Sequence, residues 1–174
     1  VSLEQKLFSI GFRIEHPQCL IDRDRWGPMV DHPLLGHAEY KLVHHASNGR
    51  CVYSFCMCPG GLVVASTSEK DCVVTNGMSQ HTRNERNANS ALVVNLHQED
   101  FAEYERWPGD PLAGIALQRA FEQRAFDLGG SNYFAPAQRL EDFLRCRKSS
   151  ALGIVKPSYL PGIKLVDLNQ SLPT

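Results

Sequence analysis

The chain has 174 residues and a formal net charge of −1, with 43% hydrophobic and 21% charged residues, as in an ordinary globular domain. The near-neutral charge excludes the basic surface that nucleic-acid binding needs, and no apolar run approaches the about 20 residues of a membrane-spanning helix, so neither partner is expected. Its six cysteines are too sparse for a disulfide scaffold, which predicts reduced thiols and a cytoplasmic location.

A β-rich region is predicted from residue 8 to residue 97. It begins with FSIGFRIEH (8–16), in which apolar residues alternate with polar residues or glycine, as in a half-buried strand. Pro17 is expected to end this strand. The segment that follows, 17–37, is rich in Pro, Gly, Asp and His, which predicts an irregular connection.

Short strands follow one another in the rest of this region. They are predicted at YKLVHH (40–45), RCVYSFCM (50–57), LVVAS (62–66), DCVVTN (71–76) and SALVVNLH (90–97). The pair Asn48-Gly49 is a strong signal for a hairpin between the first two. Successive short strands with tight turns predict an antiparallel meander or a small β-barrel.

A helical region follows at residues 110–146. Asp110 is expected to cap a helix that has Pro111 at its first position, and Gly129-Gly130 is expected to end that helix. A shorter helix is predicted within residues 138–146. Together with the β-rich region, these helices predict an α+β fold.

The first predicted helix has two apolar stripes rather than one. One stripe consists of Leu112, Ile115, Ala116 and Phe126. The nearly opposite stripe consists of Leu117, Phe121, Ala125 and Leu128. A surface helix usually has a single apolar stripe, so this helix is expected to be sandwiched in the domain or half covered by something outside it. The tail, residues 147–174, is expected to run extended over the surface.

The segment CMCPGG places Cys56 and Cys58 one residue apart at the end of a strand. Zinc binding would need four ligands, for which Cys72 or the pair His44-His45 would have to come close, and the spacing differs from that of zinc sites. A disulfide would close a very small ring with poor torsion angles, although a transient redox role stays open. The favoured interpretation is two free thiols that strand alternation directs to one side, where they pack as small hydrophobes. No metal is therefore expected.

A polar segment, TNGMSQHTRNERNANS (75–90), is predicted to be a long loop between two apolar strands. Its asparagines offer amide donors and acceptors, and its arginines offer forked donors: Asn76, Asn84, Asn87, Asn89, Arg83 and Arg86. Long loops on a rigid sheet often carry ligand-binding groups, which predicts that role here. The alternative is that asparagine merely tolerates left-handed turns.

Several motifs that define enzyme classes are absent from the sequence. There is no dinucleotide-binding Gly-x-Gly-x-x-Gly, no phosphate-binding Gly-x-x-x-x-Gly-Lys, no Gly-x-Ser-x-Gly and no His-Glu-x-x-His. The chain also begins without methionine and ends in a polar segment, so it is expected to be a piece of a longer protein. The residues by themselves therefore predict no enzyme class.

The motif string as a whole resembles one family. The motifs are FSIGFRIEHPQ, YKLVHH, VYSFCMCPGG, VVTNGMS, RNERNAN, PLAGIALQRAFE, DLGGSNYFAP and PSYLPG. Together they are similar, over residues 8–168, to the middle region of the uncharacterised bacterial FAD-dependent dehydrogenases. In that family a Rossmann-type flavin domain is interrupted by a large insert, and the whole chain, 1–174, resembles the insert. The resemblance implies FAD in the full-length parent, none bound to this chain, and an insert that covers the flavin and shapes the substrate cleft.

The resemblance also implies partners and site residues. The partners are the flavin-binding domain of the same parent, a small-molecule substrate and NAD(P)H. The residues that would contact cofactor or substrate are Pro59, Gly60, Gly61, Asn76, Gly77, Met78, Ser79, Arg83, Arg86, Asn87 and Asn89. Arg83 or Arg86 would hold a carboxylate or phosphate, and Cys56 and Cys58 would lie near the redox centre. The isolated chain is expected to be inactive. The alternatives are a self-contained binding module and a zinc-binding module.

Overall fold

The computed structural model describes residues 2–170. The strands and helices are, in chain order, β1 (Ser9–Pro17), α1 (Gln18–Trp26), β2 (Val43–His45), β3 (Cys51–Cys58), β4 (Gly61–Ala65), β5 (Thr75–Ser79), β6 (Asn87–Asn95), α2 (Ala113–Gly129), β7 (Ala135–Ala137), α3 (Leu140–Leu144) and β8 (Ile163–Leu165). Short 3-10 helices lie at Gly27–Met29, Gln98–Tyr104 and Leu168–Gln170. The architecture is α+β, as predicted.

The main sheet has four strands in the order β1-β6-β3-β2, and all neighbours are antiparallel. The central strand β6 pairs with β1 along its whole length. Directly paired residues project from the same side of a sheet, so the pairs Arg13–Ala91 and Glu15–Asn89 place four side chains on one face. We call this side the polar face.

Two smaller sheets accompany the main one. β4 and β5 form an antiparallel hairpin, and β7 and β8 form a parallel pair. The turn at Asn48-Gly49 joins β2 and β3, so the predicted hairpin is confirmed. In the described part of the chain no sheet closes on itself, so the barrel alternative is wrong. The order is not a simple meander either, because β4 and β5 leave the main sheet before β6 returns to its centre.

The irregular connection predicted for residues 17–37 is wrong in its first part, where α1 forms. This helix has no broad apolar stripe, and its inward-facing residues Gln18 and Asp22 are polar and buried. Gln18 Nε2 donates to Asp22 Oδ1 at 2.7 Å, and the backbone N–H of Ala38 donates to the same oxygen at 2.7 Å. Polar tertiary contacts therefore support this helix, and hydrophobic periodicity cannot reveal such contacts.

The long loop predicted for residues 75–90 is also wrong, because β5 and the start of β6 occupy most of it. The strand predicted at 71–76 is shifted, since β5 begins only at Thr75. Asn, Gly and Ser have a low preference for strands, but pairing with β4 holds these residues extended. Val73 precedes the strand, is buried, and donates its N–H to the carbonyl of Glu122 on α2 at 2.9 Å.

Helix α2 ends as predicted and begins later than predicted. Gly130 follows it in a left-handed conformation with φ 104°, which confirms the predicted stop. Asp110 does not cap the helix itself: its Oδ1 accepts the N–H of Leu112 at 3.0 Å and so holds the turn that precedes Ala113. The short helix predicted within 138–146 is confirmed as α3.

The two apolar stripes of α2 differ in how they are buried. Leu117, from one stripe, is 2% exposed in a cluster with Leu96, Phe101 and Ala113. From the other stripe, Phe126 is buried in a second cluster, with Val63, Val73, Ala135 and Tyr159. The rest of that stripe, Leu112, Ile115 and Ala116, remains at least partly accessible, and we call it the α2 outer face.

The tail contributes buried side chains and a strand to the fold within residues 147–170. Tyr159 and Val166 are buried, Ser158 Oγ accepts the N–H of Val63 at 2.8 Å, and β8 pairs with β7. The prediction of a purely superficial tail is therefore wrong within residues 147–170. Its last four positions, 171–174, lie outside the described residues.

The ion pair before α2 predicts how stability depends on pH. Arg106 Nε and Nη2 donate to the buried carboxylate of Asp110 at 2.7 and 3.0 Å, which lowers the pKa of Asp110 well below its ordinary 3.8. Because the folded pKa is lowered, the stability from this group is present above pH 3.8 and is lost as pH falls toward the folded value. In urea unfolding at successive pH values, Asp110→Asn is expected to flatten the acid limb of the stability curve. An unchanged acid limb would contradict this prediction.

Candidate functional site

The candidate site lies on the polar face, where β1, β5 and β6 meet the end of β3. Arg13 of β1 is at its centre. Its Nη1 donates to Asn89 Oδ1 at 2.7 Å and to the carbonyl of Cys56 at 3.2 Å, and its Nη2 lies 3.4 Å from Asn76 Oδ1. One side chain thus connects three strands that are far apart in sequence. Arg13 lies in the motif FSIGFRIEHPQ, but no role was predicted for it, although a charged residue in the middle of a strand is a signal for such a role.

The two cysteines lie at a bulge in β3. Phe55 pairs with Ala91 and Cys58 pairs with Asn89, so three steps on β3 oppose two on β6. Cys56 has φ 47° and is exposed, whereas Cys58 is buried with its Sγ 3.3 Å from the carbonyl of Cys56. The bulge interrupts the alternation of the strand. The prediction that both thiols pack as buried hydrophobes is therefore wrong for Cys56.

A glycine lets β5 approach the centre of the site. A Cβ atom on Gly77 would overlap Arg13 Nη1 and Asn89 Oδ1. Its neighbour Asn76 turns its Oδ1 back to accept the N–H of Gly77 at 2.8 Å. Met78, the next residue, is 57% exposed. Of the predicted loop residues, Asn76, Gly77 and Asn89 are thus the ones that meet around Arg13.

The Pro59-Gly60-Gly61 turn is anchored from several sides. Ser79 Oγ donates to the carbonyl of Pro59 at 2.8 Å, and the N–H of Glu85 donates to the carbonyl of Gly60 at 3.2 Å. The N–H of Gly60 donates to Gln18 Oε1 at 2.7 Å. Gln18, a buried helix residue for which no role was predicted from the sequence, therefore fixes the turn beside Cys58.

Three predicted residues make their side-chain hydrogen bonds away from Arg13: Arg83, Arg86 and Asn87. Arg83 Nη1 pairs with Glu39 Oε1 at 2.7 Å on an exposed part of the surface. Arg86 Nη2 and Asn87 Nδ2 both donate to the carbonyl of Lys156, at 2.8 and 3.0 Å, and tie the tail to β6. The structure thus does not bring these three predicted residues together with the cysteines.

The electrostatics of the centre are unbalanced. The acceptors of Arg13 are neutral oxygens, and none of the described residues gives it a carboxylate partner. Burial lowers the pKa of Arg13, while charge interactions with Cys58 and Cys56 act in the opposite direction. Asn89 is fully buried, and its Nδ2, like Arg13 Nε, has no hydrogen-bond partner among residues 2–170.

An open groove of about 550 Å³ borders the exposed side of the bulge. Its lining residues are Lys41, Leu42, Val43, Tyr53, Ser54, Phe55 and Cys56. Phe55 and Leu42 are more than half exposed, at 57% and 55%. The exposed Cys56 thus stands between a polar centre and an apolar groove, an arrangement that can orient a mixed polar and apolar ligand.

The zinc hypothesis finds no ligand set in the described residues, where no three His, Cys, Asp or Glu side chains are grouped to hold a metal ion. Cys72 is buried next to α2, and burial, followed by the charge of Glu122, raises its thiol pKa.

Among residues 2–170 no helix is long and apolar enough to span a membrane.

Comparison with known proteins identifies the family of this chain. The family model described as "FAD-dependent protein, C-terminal domain-like" matches residues 7–174. An uncharacterized protein of Clostridium beijerinckii is 49% identical over 174 residues, which cover 99% of this chain and 32% of the relative. The chain therefore spans about a third of the length of this relative. The FAD-dependent family that the motifs predict is thereby confirmed, whereas insertion into a Rossmann-type domain stays a prediction. The chain belongs to the FAD-dependent protein C-terminal domain-like family.

Proposed function

We propose that this chain is the part of a FAD-dependent oxidoreductase that covers the flavin of a longer parent and shapes its substrate cleft. The observation that carries the proposal is the convergence of Arg13, Asn76 and Asn89 beside the exposed Cys56 and an open groove. These groups come from four strands, so only the folded domain assembles them. Family membership supports the flavin as the redox group.

The donors of this site suit part of a flavoprotein ligand. FAD carries carbonyl oxygens on its ring system and oxygens on its pyrophosphate, and guanidinium and amide N–H groups bind such oxygens. The sequence has no glycine-rich dinucleotide motif, so we place the main FAD site in a Rossmann-type part of the parent that this chain interrupts. When bound, the flavin supplies the two-electron chemistry, while residues of this chain orient the substrate and exclude water.

Of the two cysteines and the neighbouring turn, the exposed Cys56 is proposed to face the reacting ligands. Cys56 is exposed at the bulge, and the Pro59-Gly60-Gly61 turn follows it closely. A small molecule in the groove would contact Cys56, which lines it, whereas the turn is buried and does not line the groove. We propose NAD(P)H as the reductant and a reducing cytoplasm as the location, because six unpaired cysteines suit a compartment that keeps thiols reduced.

The α2 outer face supports the proposed docking to the parent. Leu112 and Ile115 are 39% and 46% exposed on a helix whose other side is packed into the core. The matched relative has about two thirds of its length beyond the region that aligns with this chain. We therefore propose that the flavin-binding part of the parent covers the α2 outer face and excludes its apolar side chains from water.

The experiment compares the full-length relative, a variant that lacks the region aligned with residues 8–168, and the isolated chain. We expect the full-length protein to retain FAD and the isolated chain to retain none. If the domain covers the flavin, its deletion is expected to raise the iodide quenching of flavin fluorescence several-fold. Stoichiometric FAD on the isolated chain would contradict the proposal, as would equal quenching in both long proteins. Equal quenching would favour the self-contained binding module instead.

A matched pair of substitutions in the full-length parent of this chain tests the docking face by the same quenching measurement. Ile115→Arg puts a charge on the α2 outer face and is expected to increase quenching. Gln118→Arg adds the same charge at an exposed polar position of the same helix and is expected to leave quenching unchanged. Equal effects of the two substitutions would contradict docking through this face.

A further inference from the structure

The centre of the candidate site contains a positive charge without a negative partner. Several other arginines pair with carboxylates, as Arg50 does with Asp100 and Arg83 does with Glu39, each at 2.7 Å. Arg13 is half-buried, and its hydrogen-bond partners are neutral oxygens and the side chain of Cys58. An uncompensated buried charge is costly, so this environment favours an added anion.

The nearest acidic residue on β1 does not supply this anion. Glu15 lies on the same polar face, but its Oε1 accepts Asn87 Nδ2 at 2.8 Å and the N–H of Ser158 at 3.1 Å. Its carboxylate is thus committed to holding the tail. Cys58, Cys56 and Tyr40 lie close enough to interact with the Arg13 charge, but none of them is a carboxylate.

The hydrogen bonds of Arg13 leave a surplus of donors at the same place. Nη1 of Arg13 makes two of the contacts with oxygen, whereas Nη2 makes the 3.4 Å contact with Asn76 and the buried Nε has no hydrogen-bond partner among the described residues. Nε and Nη2 form the edge of a guanidinium that binds carboxylates or phosphates in a bidentate manner. The buried Asn89 Nδ2 adds another unpartnered donor within residues 2–170. The exposed Asn76 beside Nη2 marks the side from which a ligand can approach.

We propose that Arg13, with Asn76 and Asn89, binds an oxyanion group of a ligand, and that this group is the missing counter-charge of the site. The inference rests on the proposed function and deepens it by naming the ligand class. The oxyanion is either the carboxylate of an organic acid substrate or a phosphate of a nucleotide. Arg13 thereby takes the role that the family resemblance assigns to Arg83 or Arg86.

The test titrates the isolated chain, without flavin, with sodium acetate, phosphate and pyrophosphate at constant ionic strength, using chloride as the reference anion. We expect saturable shifts of the Arg13 Nε–H and Asn89 side-chain amide resonances in nuclear magnetic resonance spectra. Preference for acetate indicates the substrate carboxylate, and preference for pyrophosphate indicates the nucleotide. Shifts that stay linear with all three anions would overturn the proposal.

Three variants connect the binding to Arg13. Arg13→Gln is expected to weaken anion binding at least tenfold, and the control Arg83→Gln is expected to leave it unchanged. Asn89→Asp places a carboxylate where an amide oxygen now lies 2.7 Å from Nη1, so it is expected to raise the melting temperature and to weaken anion binding at least tenfold. The Asp variant keeps the test decisive if the Gln variant does not fold. Equal affinity in Asn89→Asp and the unaltered chain would overturn the proposal.

A further variant tests whether the thiols, rather than a ligand, supply the counter-charge of Arg13. If a thiolate is the counter-charge, replacing both Cys56 and Cys58 by serine will strengthen anion binding by removing a competitor and will lower stability; this outcome would overturn the proposal. Unchanged affinity supports it. Because the titrations contain no flavin, their failure is distinct from failure of the proposed function, which the quenching experiment measures in the long protein.

Discussion

Replacing Gly60 by alanine is expected to lower the free energy of unfolding by about 3 kcal/mol, from left-handed strain plus overpacking. Gly60 has φ 47°, and a Cβ at this position would overlap the backbone carbonyl of Arg83. Backbone cannot rotate away as the end of a side chain can, so the loop from Gln80 to Arg86 must move. The movement would break the hydrogen bond between Glu85 N–H and the Gly60 carbonyl.

The control for this prediction is Gly49→Ala in the β2–β3 turn. Gly49 also has a positive φ, 82°, but a Cβ at this position would meet no atom within 4 Å, so only the conformational cost of about 1 kcal/mol applies. Urea unfolding followed by circular dichroism measures both losses. Equal losses would show that the contact with Arg83 contributes nothing. Anion titration of Gly60→Ala would then report whether the displaced turn disturbs the Arg13 centre.

Replacing Phe101 by alanine is expected to lower the free energy of unfolding by about 3–5 kcal/mol, the usual loss for a buried aromatic side chain. Phe101 is fully buried, and its ring lies 5.6 Å from that of Phe8. It also packs close to Gly114 at the start of α2. A cavity at this place would remove support from both the first strand and the helix that carries the proposed docking face.

Phe55→Ala is the matched control, because Phe55 is 57% exposed and its truncation leaves no closed cavity. Its loss is expected to stay within about 1 kcal/mol, as for surface substitutions. Phe101→Leu, which leaves a smaller cavity, is expected to give an intermediate loss if Phe101→Ala does not fold. Thermal and urea unfolding would measure all three variants. Similar losses for Phe101→Ala and Phe55→Ala would contradict the assignment of Phe101 to the core.

The local parts of the fold could be predicted because neighbouring residues determine them. Alternation of apolar residues indicated β1, the Asn48-Gly49 pair indicated the first hairpin, and Gly129-Gly130 indicated the end of α2. Helix α1 and strand β5 could not be predicted in this way. The first is held by buried polar contacts of Gln18, and the second by pairing with β4.

The candidate site was predicted only in part, because local patterns reveal some of its residues and distant contacts decide the others. The motifs pointed to the Cys-x-Cys turn and to the asparagines, and the fold brings Asn76, Gly77 and Asn89 to the end of β3. No role was predicted for Arg13, although it lies in one of the motifs, because its importance comes from contacts with residues 43 to 76 positions away in the chain. The arginines chosen from the polar segment pair with Glu39 or hold the tail instead.

By itself, the sequence determined the α+β class, the FAD-dependent family and the segments that carry the polar and thiol groups. Short-range preferences and a specific motif string are sufficient for these conclusions. Only the tertiary structure decided that Cys56 is exposed while Cys58 is buried, and that a guanidinium lacking a carboxylate partner among the described residues lies between them and Asn89. Burial, strand register and charge pairing arise from contacts between distant segments, so no local pattern can specify them.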